Sequence, residues 1–176
     1  MVLTGYNALN TLKPPPISPL KTQYFSNTAY KLGPHNIKYS ARSCSIAEGV
    51  SNYEKKGPDF LQEVMREELA KGAGCFDFLV QLQDPNKYMP IEDPSIEWRE
   101  SDSSFISLAK IKIPSQVFTS QEQREFCENL SFSPWNSLND HRPIGELNRI
   151  RKKVYQASSS YRHKKNKTEI PTNLDW

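Results

Sequence analysis

Apolar and polar positions alternate most cleanly in two stretches of the chain. Cys75 to Gln83 places Phe76, Phe78, Val80 and Leu82 on one face, and Phe105 to Ile113 places Phe105, Ser107, Ala109, Ile111 and Ile113 on one face. A period of two over this length predicts half-buried strands. Aromatic and β-branched residues also gather from Lys21 to Leu32 and from His35 to Arg42, on either side of Gly33-Pro34. They predict two further strands joined by a turn. Between the alternating stretches, Asp84 to Asp102 carries Pro85, Pro90 and Pro94. That connection is too long for a tight hairpin and is expected to pack over the sheet.

Helix signals appear in three places. Pro58 stands at a first helical position, Phe60, Leu61, Val64, Met65 and Leu69 form one stripe, and Gly72 ends it. Thr119 followed by Glu122 reads as a capping box for a short helix to about Asn129. After Pro143, the residues Ile144, Leu147, Arg151, Val154, Tyr155, Ser158 and Tyr161 recur at the spacing of a long helix. With about four strands and no βαβ alternation, the fold class is α+β with an antiparallel sheet. Residues 1–20 contain Pro14-Pro15-Pro16 and Pro19, which remove backbone donors and predict an extended or disordered arm.

Composition narrows this picture. Only 36% of the residues are hydrophobic, against roughly 45 to 50% in an ordinary domain, so the core should be thin. A net charge of +3 is too small for a dedicated nucleic-acid binder. The run Arg162-His163-Lys164-Lys165-Asn166-Lys167 reads as a solvated end on which the fold does not depend, and residues 164–176 as a basic flexible tail. Cys44, Cys75 and Cys127 are an odd, widely spaced set. Neither a disulfide framework nor a zinc site is indicated, and reduced thiols in a cytoplasmic protein are expected. The first 16 residues lack a basic-then-apolar leader, and no apolar run approaches the ~18 residues of a membrane span.

The three histidines, His35, His141 and His163, are not spaced as metal ligands, and no nucleophile elbow or phosphate loop is present. Arg151 and Tyr155 stand four apart on the last predicted helix, hence one above the other. A guanidinium against a phenol favours the phenolate, which is a hard anionic donor suited to ferric iron. The same spacing also fits a basic helix that uses its tyrosine for packing.

Several stretches agree in order with one family. Phe126-Cys-Glu-Asn-Leu-Ser-Phe-Ser-Pro-Trp135, His141-Arg-Pro-Ile-Gly145, Asn148-Arg-Ile-Arg-Lys-Lys-Val-Tyr155 and Tyr161-Arg-His163 resemble the catalase-related haem proteins, compact relatives of catalase that include catalase-like allene oxide synthases. Tyr30 to Tyr39, Phe76 to Gln83 and Met89 to Trp98 look like the same family, so the resemblance runs from about Thr22 to His163. It implies that residues 21–163 are the C-terminal half of a catalase-like domain, about four strands of an antiparallel partial β-barrel. It implies haem b with ferric iron as cofactor, Tyr155 as the axial metal ligand, Arg151 as the hydrogen-bond donor to its oxygen, and Arg162, seven residues beyond, as a holder of a haem propionate. The guanidinium fork of Arg162 suits that carboxylate.

The departures carry equal weight. The resemblance covers only the later half of the family, so the distal histidine and asparagine have no counterpart, and no complete catalytic set is expected. Asn136 and Ser137 follow Pro-Trp where relatives commonly have a histidine. A separate N-terminal half or self-association is the implied partner, because Phe76, Phe78, Val80 and Leu82 would lack the neighbouring barrel strands and stand partly exposed. The competing reading is a non-catalytic remnant or interaction protein with little or no haem binding. Trp98 and Trp135 read as packing for the long loops, and Lys38, Arg42 and Arg124 as solvated cations.

Overall fold

In the computed structural model, residues 18–44 and 57–169 are described. Apart from residues 18–20, the Pro-rich arm lies outside them, as do residues 170–176 of the basic tail. Five strands form one antiparallel sheet: β1 (Tyr24–Phe25), β2 (Tyr30–Leu32), β3 (His35–Ser43), β4 (Gly74–Leu82) and β5 (Ile106–Ile113). The order is β1-β3-β4-β5, with β2 also paired to β3. The helices are α1 (Phe60–Lys71), α2 (Gln121–Asn129) and α3 (Glu146–Asn166). The α+β class and the antiparallel sheet are as the sequence pattern predicts.

The strand expected over Lys21–Leu32 is divided in two. Phe25 pairs with Ser40 and Tyr30 with Ile37, so Ser26 to Ala29 face only Lys38 and Tyr39 and bulge outward. The Ser26 hydroxyl and amide fasten this bulge to the amide and carbonyl of Tyr39 at 2.9 and 2.8 Å. That distortion brings Thr28 and Ala29 to helix α3.

Strand β4 is the centre of the sheet and is covered on both faces. Phe76 and Val80 are buried on one side and Leu79 and Gln81 on the other, around a bulge between Phe78 and Leu79. This corrects the expectation of a partly exposed Phe76–Leu82 face at two of its four positions: Phe76 packs with Leu20 and Leu69, and Val80 with Tyr30 and Ile37, while Phe78 and Leu82 are half-buried. Exposed apolar side chains lie instead on β5, at Ile106, Leu108 and Ile111, and on α3. Among the described residues the apolar interior is three small clusters, the third formed by Ala29, Met89 and Trp98. The connection after β4 does pack on the sheet, since Gln81 Nε2 donates to the carbonyls of Trp98 and Ser103.

Two helix starts shift. Helix α1 begins after Asp59, whose carbonyl accepts from Gln62 and Glu63. The capping box of α2 is made by Ser120 and Gln123, one residue past the Thr119–Glu122 pair: Ser120 Oγ accepts from the Gln123 amide and Gln123 Oε1 accepts from the Ser120 amide. Helix α3 starts at Gly145 with φ +89°, and a Cβ there would lie 2.8 Å from the Ile91 carbonyl oxygen. Both facts restrict that position to glycine.

Two further expectations are overturned. Cys44 and Cys75 are joined by a disulfide, not held as free thiols, because the antiparallel register that pairs Ser43 with Phe76 sets these distant cysteines opposite each other, Cα to Cα 5.5 Å. The run from Arg162 is also part of the fold: Arg162 donates to the carbonyls of Glu128 and Leu130 at 2.6 and 2.9 Å, and His163 is buried with Nε2 2.7 Å from the Asn129 carbonyl. These contacts satisfy the open carbonyl end of α2. Helix α3 continues to Asn166, past the expected start of the tail at residue 164.

Candidate functional site

Helix α3 buries a polar stripe. Its buried residues are Asn148, Ser159 and His163, with Arg151, Tyr155 and Arg162 partly buried on the same side. Ile150 and Val154, by contrast, are 53% and 56% exposed. The apolar spacing read from the sequence therefore locates the helix correctly but not its inward face.

Arg151 and Tyr155 meet as their spacing predicts. Arg151 Nη2 donates to the Tyr155 hydroxyl at 3.0 Å, and the guanidinium carbon lies 5.2 Å from the phenol ring centre. The other arm of Arg151 donates to Thr28 Oγ1 and Asn148 Oδ1, both at 3.3 Å. Burial works against its charge, but the hydrogen bond to Tyr155 and the proximity of Tyr30 outweigh it and raise its pKa further. The guanidinium is thus fixed in place and permanently charged.

Asn148 holds this arrangement and is the residue that sequence reasoning missed. It is 0% exposed. Its amide nitrogen donates to the carbonyls of Ala29 and Ile144 at 3.0 and 2.8 Å, and its oxygen accepts from Thr28 at 3.1 Å as well as from Arg151. Trp135 Nε1 donates to its backbone carbonyl at 2.7 Å. The available signal was its position three residues before Arg151, which puts both side chains on one helix face.

Tyr30 and Tyr39 lie above this face with ring centres 5.0 Å apart. Burial, followed by hydrogen bonding to Tyr30, pushes the Tyr39 phenol up to about 12. Together with Thr28, Leu147, Phe25 and Arg151 these tyrosines line an open cavity of about 360 Å³. A second cavity of about 300 Å³ contains Lys38 and Trp98. Lys38, expected to be solvated, is buried: its ammonium donates to the Ile96 carbonyl at 3.2 Å and lies 5.0 Å from the Trp98 ring centre, and burial lowers its pKa. Trp98 and Trp135 pack as expected, Trp98 in a core cluster and Trp135 under Lys152.

Arg162 is on the stripe of Tyr155, two helical turns on. Two of its nitrogens are occupied by the α2 carbonyls, which leaves part of its fork uncommitted, since a guanidinium carries five N–H donors. Among the described residues no three His, Cys, Asp or Glu side chains are grouped to hold a metal ion.

No protein-family model and no curated protein matches the sequence. Solved structures do match. A fungal catalase superposes with a TM-score of 0.74 at 17% identity, over 90% of this chain and 34% of its own. The chain has part of the catalase fold. Catalase A from Saccharomyces cerevisiae gives a TM-score of 0.69 at 14% identity, with 90% and 35% covered, and a bacterial catalase 0.63 at 13%, with 90% and 34% covered. The chain therefore spans about a third of the length of the catalases it matches, and its open sheet is a partial version of theirs. Among the described residues, no helix is long and apolar enough to cross a membrane.

Proposed function

We propose that this chain supplies the proximal wall of a haem site for peroxide or hydroperoxide chemistry, with Tyr155 as axial donor, Arg151 as its hydrogen-bond donor and Arg162 directed at a propionate. The observation that carries this reading is the 3.0 Å bond from Arg151 to the Tyr155 oxygen on a helix of catalase-type fold. Haem held by tyrosinate supplies a ferric centre able to cleave a peroxide O–O bond. The residues present fit that group in chemistry. The Tyr155 phenol oxygen accepts from a permanent cation, and Asn148 and Thr28 keep that cation from turning away.

The distal wall belongs, in this reading, to protein beyond these residues, a separate N-terminal half or a second chain. The exposed apolar side chains of β5 and α3 support such a neighbour. A non-catalytic remnant with little haem affinity is the alternative reading, favoured by the small, open cavity beside Arg151.

A haemin titration of the purified chain, followed by visible absorption, separates the two. The proposal expects a ferric-tyrosinate spectrum that Tyr155→Phe abolishes and Arg151→Ala weakens. Indistinguishable haemin uptake by the unmutated chain and Tyr155→Phe overturns the axial assignment.

A further inference from the structure

One face of the sheet gathers sulfur and charge. Register pairing sets Arg42 opposite Asp77, Asp77 opposite Lys110, and Cys75 opposite Lys112, and Cys44 is bonded to Cys75. Three cations, one carboxylate and two cysteines therefore share this corner of β3, β4 and β5. Lys110 Nζ lies 3.9 Å from Cys44 Sγ while donating to Asp77 at 2.7 Å. Both cysteines are partly accessible to solvent. The carboxylate offsets part of the charge and also fixes the Lys110 ammonium beside the sulfur.

We propose that Cys44 and Cys75 are a peroxide-reducing dithiol, with Cys44 as the attacking thiol and Cys75 as the resolving one. The proposal is separate from the haem reading and survives its failure. A thiol next to lysine ammonium groups yields thiolate more readily, and thiolate is the nucleophile. Cys44 thiolate attacks one peroxide oxygen and the O–O bond breaks. Sulfur keeps that oxygen as a sulfenic acid, and the alkoxide or hydroxide that leaves takes up the proton Cys44 released. The Cys75 sulfur then displaces the sulfenic oxygen, which departs as water with the Cys75 proton, leaving the disulfide seen here. The peroxide is reduced to an alcohol or water and two thiols are oxidised. A small dithiol or two monothiols restore the pair by exchange and are themselves oxidised to a disulfide.

The β3–β4 register that pairs Ser43 with Phe76 sets Cys44 against Cys75, with a Cα–Cα distance of 5.5 Å in the bonded pair. The exposed Cys127 provides an internal reference. It stands outside the charged corner and has no sulfur partner in the structure.

The test uses the full haem-free chain with Cys127→Ser alongside. Purified protein is reduced with dithiothreitol, freed of reductant, exposed to hydrogen peroxide or tert-butyl hydroperoxide, and its thiols are counted by maleimide mass tagging. The expected result is rapid loss of the Cys44 and Cys75 thiols, with the mass falling by two hydrogens, at least roughly tenfold faster than Cys127 reacts. Cys75→Ser should stop at a sulfenic acid on Cys44 that dimedone traps, and Lys110→Met should slow the first step severalfold. Thiol counting on the unmutated chain keeps the test valid if a variant folds poorly. The proposal is overturned if Cys44 and Cys75 react with peroxide no faster than Cys127, or if they never link.

Discussion

Strand β4 and helix α3 bury different kinds of surface. The strand buries Phe76, Leu79 and Val80, with Gln81 as a hydrogen-bonded polar exception, while the helix turns Asn148, Ser159 and His163 inward and leaves Ile150 and Val154 in solvent. Burial of apolar area explains the strand at roughly 25 cal/mol per Å² removed from water. It does not explain the helix, where each buried polar group would cost about 1–3 kcal/mol if left unpaired. Each one has a partner: Asn148 on Thr28 and Ala29, Ser159 on Ser131, His163 on Asn129. The strand is fixed by volume and the helix by direction. A directional interior is what a site requires if one phenol oxygen must face one guanidinium.

That contrast breaks first in the strand. Leu79 is 1% exposed at the centre of the sheet, so Leu79→Ala should cost about 2–5 kcal/mol through lost transfer energy and a residual cavity. Urea unfolding followed by far-UV circular dichroism measures it. A loss below about 1 kcal/mol would mean that the face relaxes around the gap and that β4 is not the sheet's packed centre.

The helix should respond less in stability and more in geometry. Asn148→Ala removes the partner of Thr28, Arg151 and the Ala29 carbonyl together, at a cost of about 1–3 kcal/mol for the groups left unpaired. Freed from that acceptor, Arg151 should hold Tyr155 less firmly. The near-ultraviolet circular dichroism of Tyr155, isolated by difference against Tyr155→Phe, should therefore change in Asn148→Ala and stay put in Leu79→Ala. Equal effects in both would dissolve the distinction between the two regions.

The same contrast decides what was legible in the sequence. Period-two alternation located β4 and β5, although β5 is exposed along nearly all its length and not half-buried as the alternation implies, and helical spacing together with the capping-box pair located the three helices of the described residues. The Arg151–Tyr155 contact was legible because four residues along one helix fix a distance whatever surrounds them. Asn148 was not, since its partners Thr28 and Ala29 lie some 120 positions away, in a bulge that no local pattern announces. The Cys44–Cys75 bond was hidden for the same reason: 31 residues separate the cysteines, and only the β3–β4 register brings them together. Lys38 reads as a solvated charge until the loop from Asp84 to Asp102 folds Trp98 over it.

The smallest effect is confined to alkaline solution and concerns the place where the two regions meet. Tyr39 stands on β3 and faces Tyr30 and Arg151, and burial, with the Tyr30 hydrogen bond, pushes its phenol up to about 12 from 10.0. An acid with a raised folded-state pKa keeps its proton in the native state when the unfolded chain has already lost it. Its contribution is therefore complete below pH 10, and falls away as the pH rises from 10 to about 12, where the unfolded state binds fewer protons than the folded one. Partial exposure screens the effect, so its direction is the useful observable. Tyr39→Phe should lose less stability than the unmutated chain over that interval while differing little in slope below it. Denaturant midpoints at a series of alkaline pH values give the comparison. Parallel curves for the two proteins would show that Tyr39 ionises as freely in the fold as in the open chain, and that the polar order of α3 stops at the helix and does not extend to the sheet.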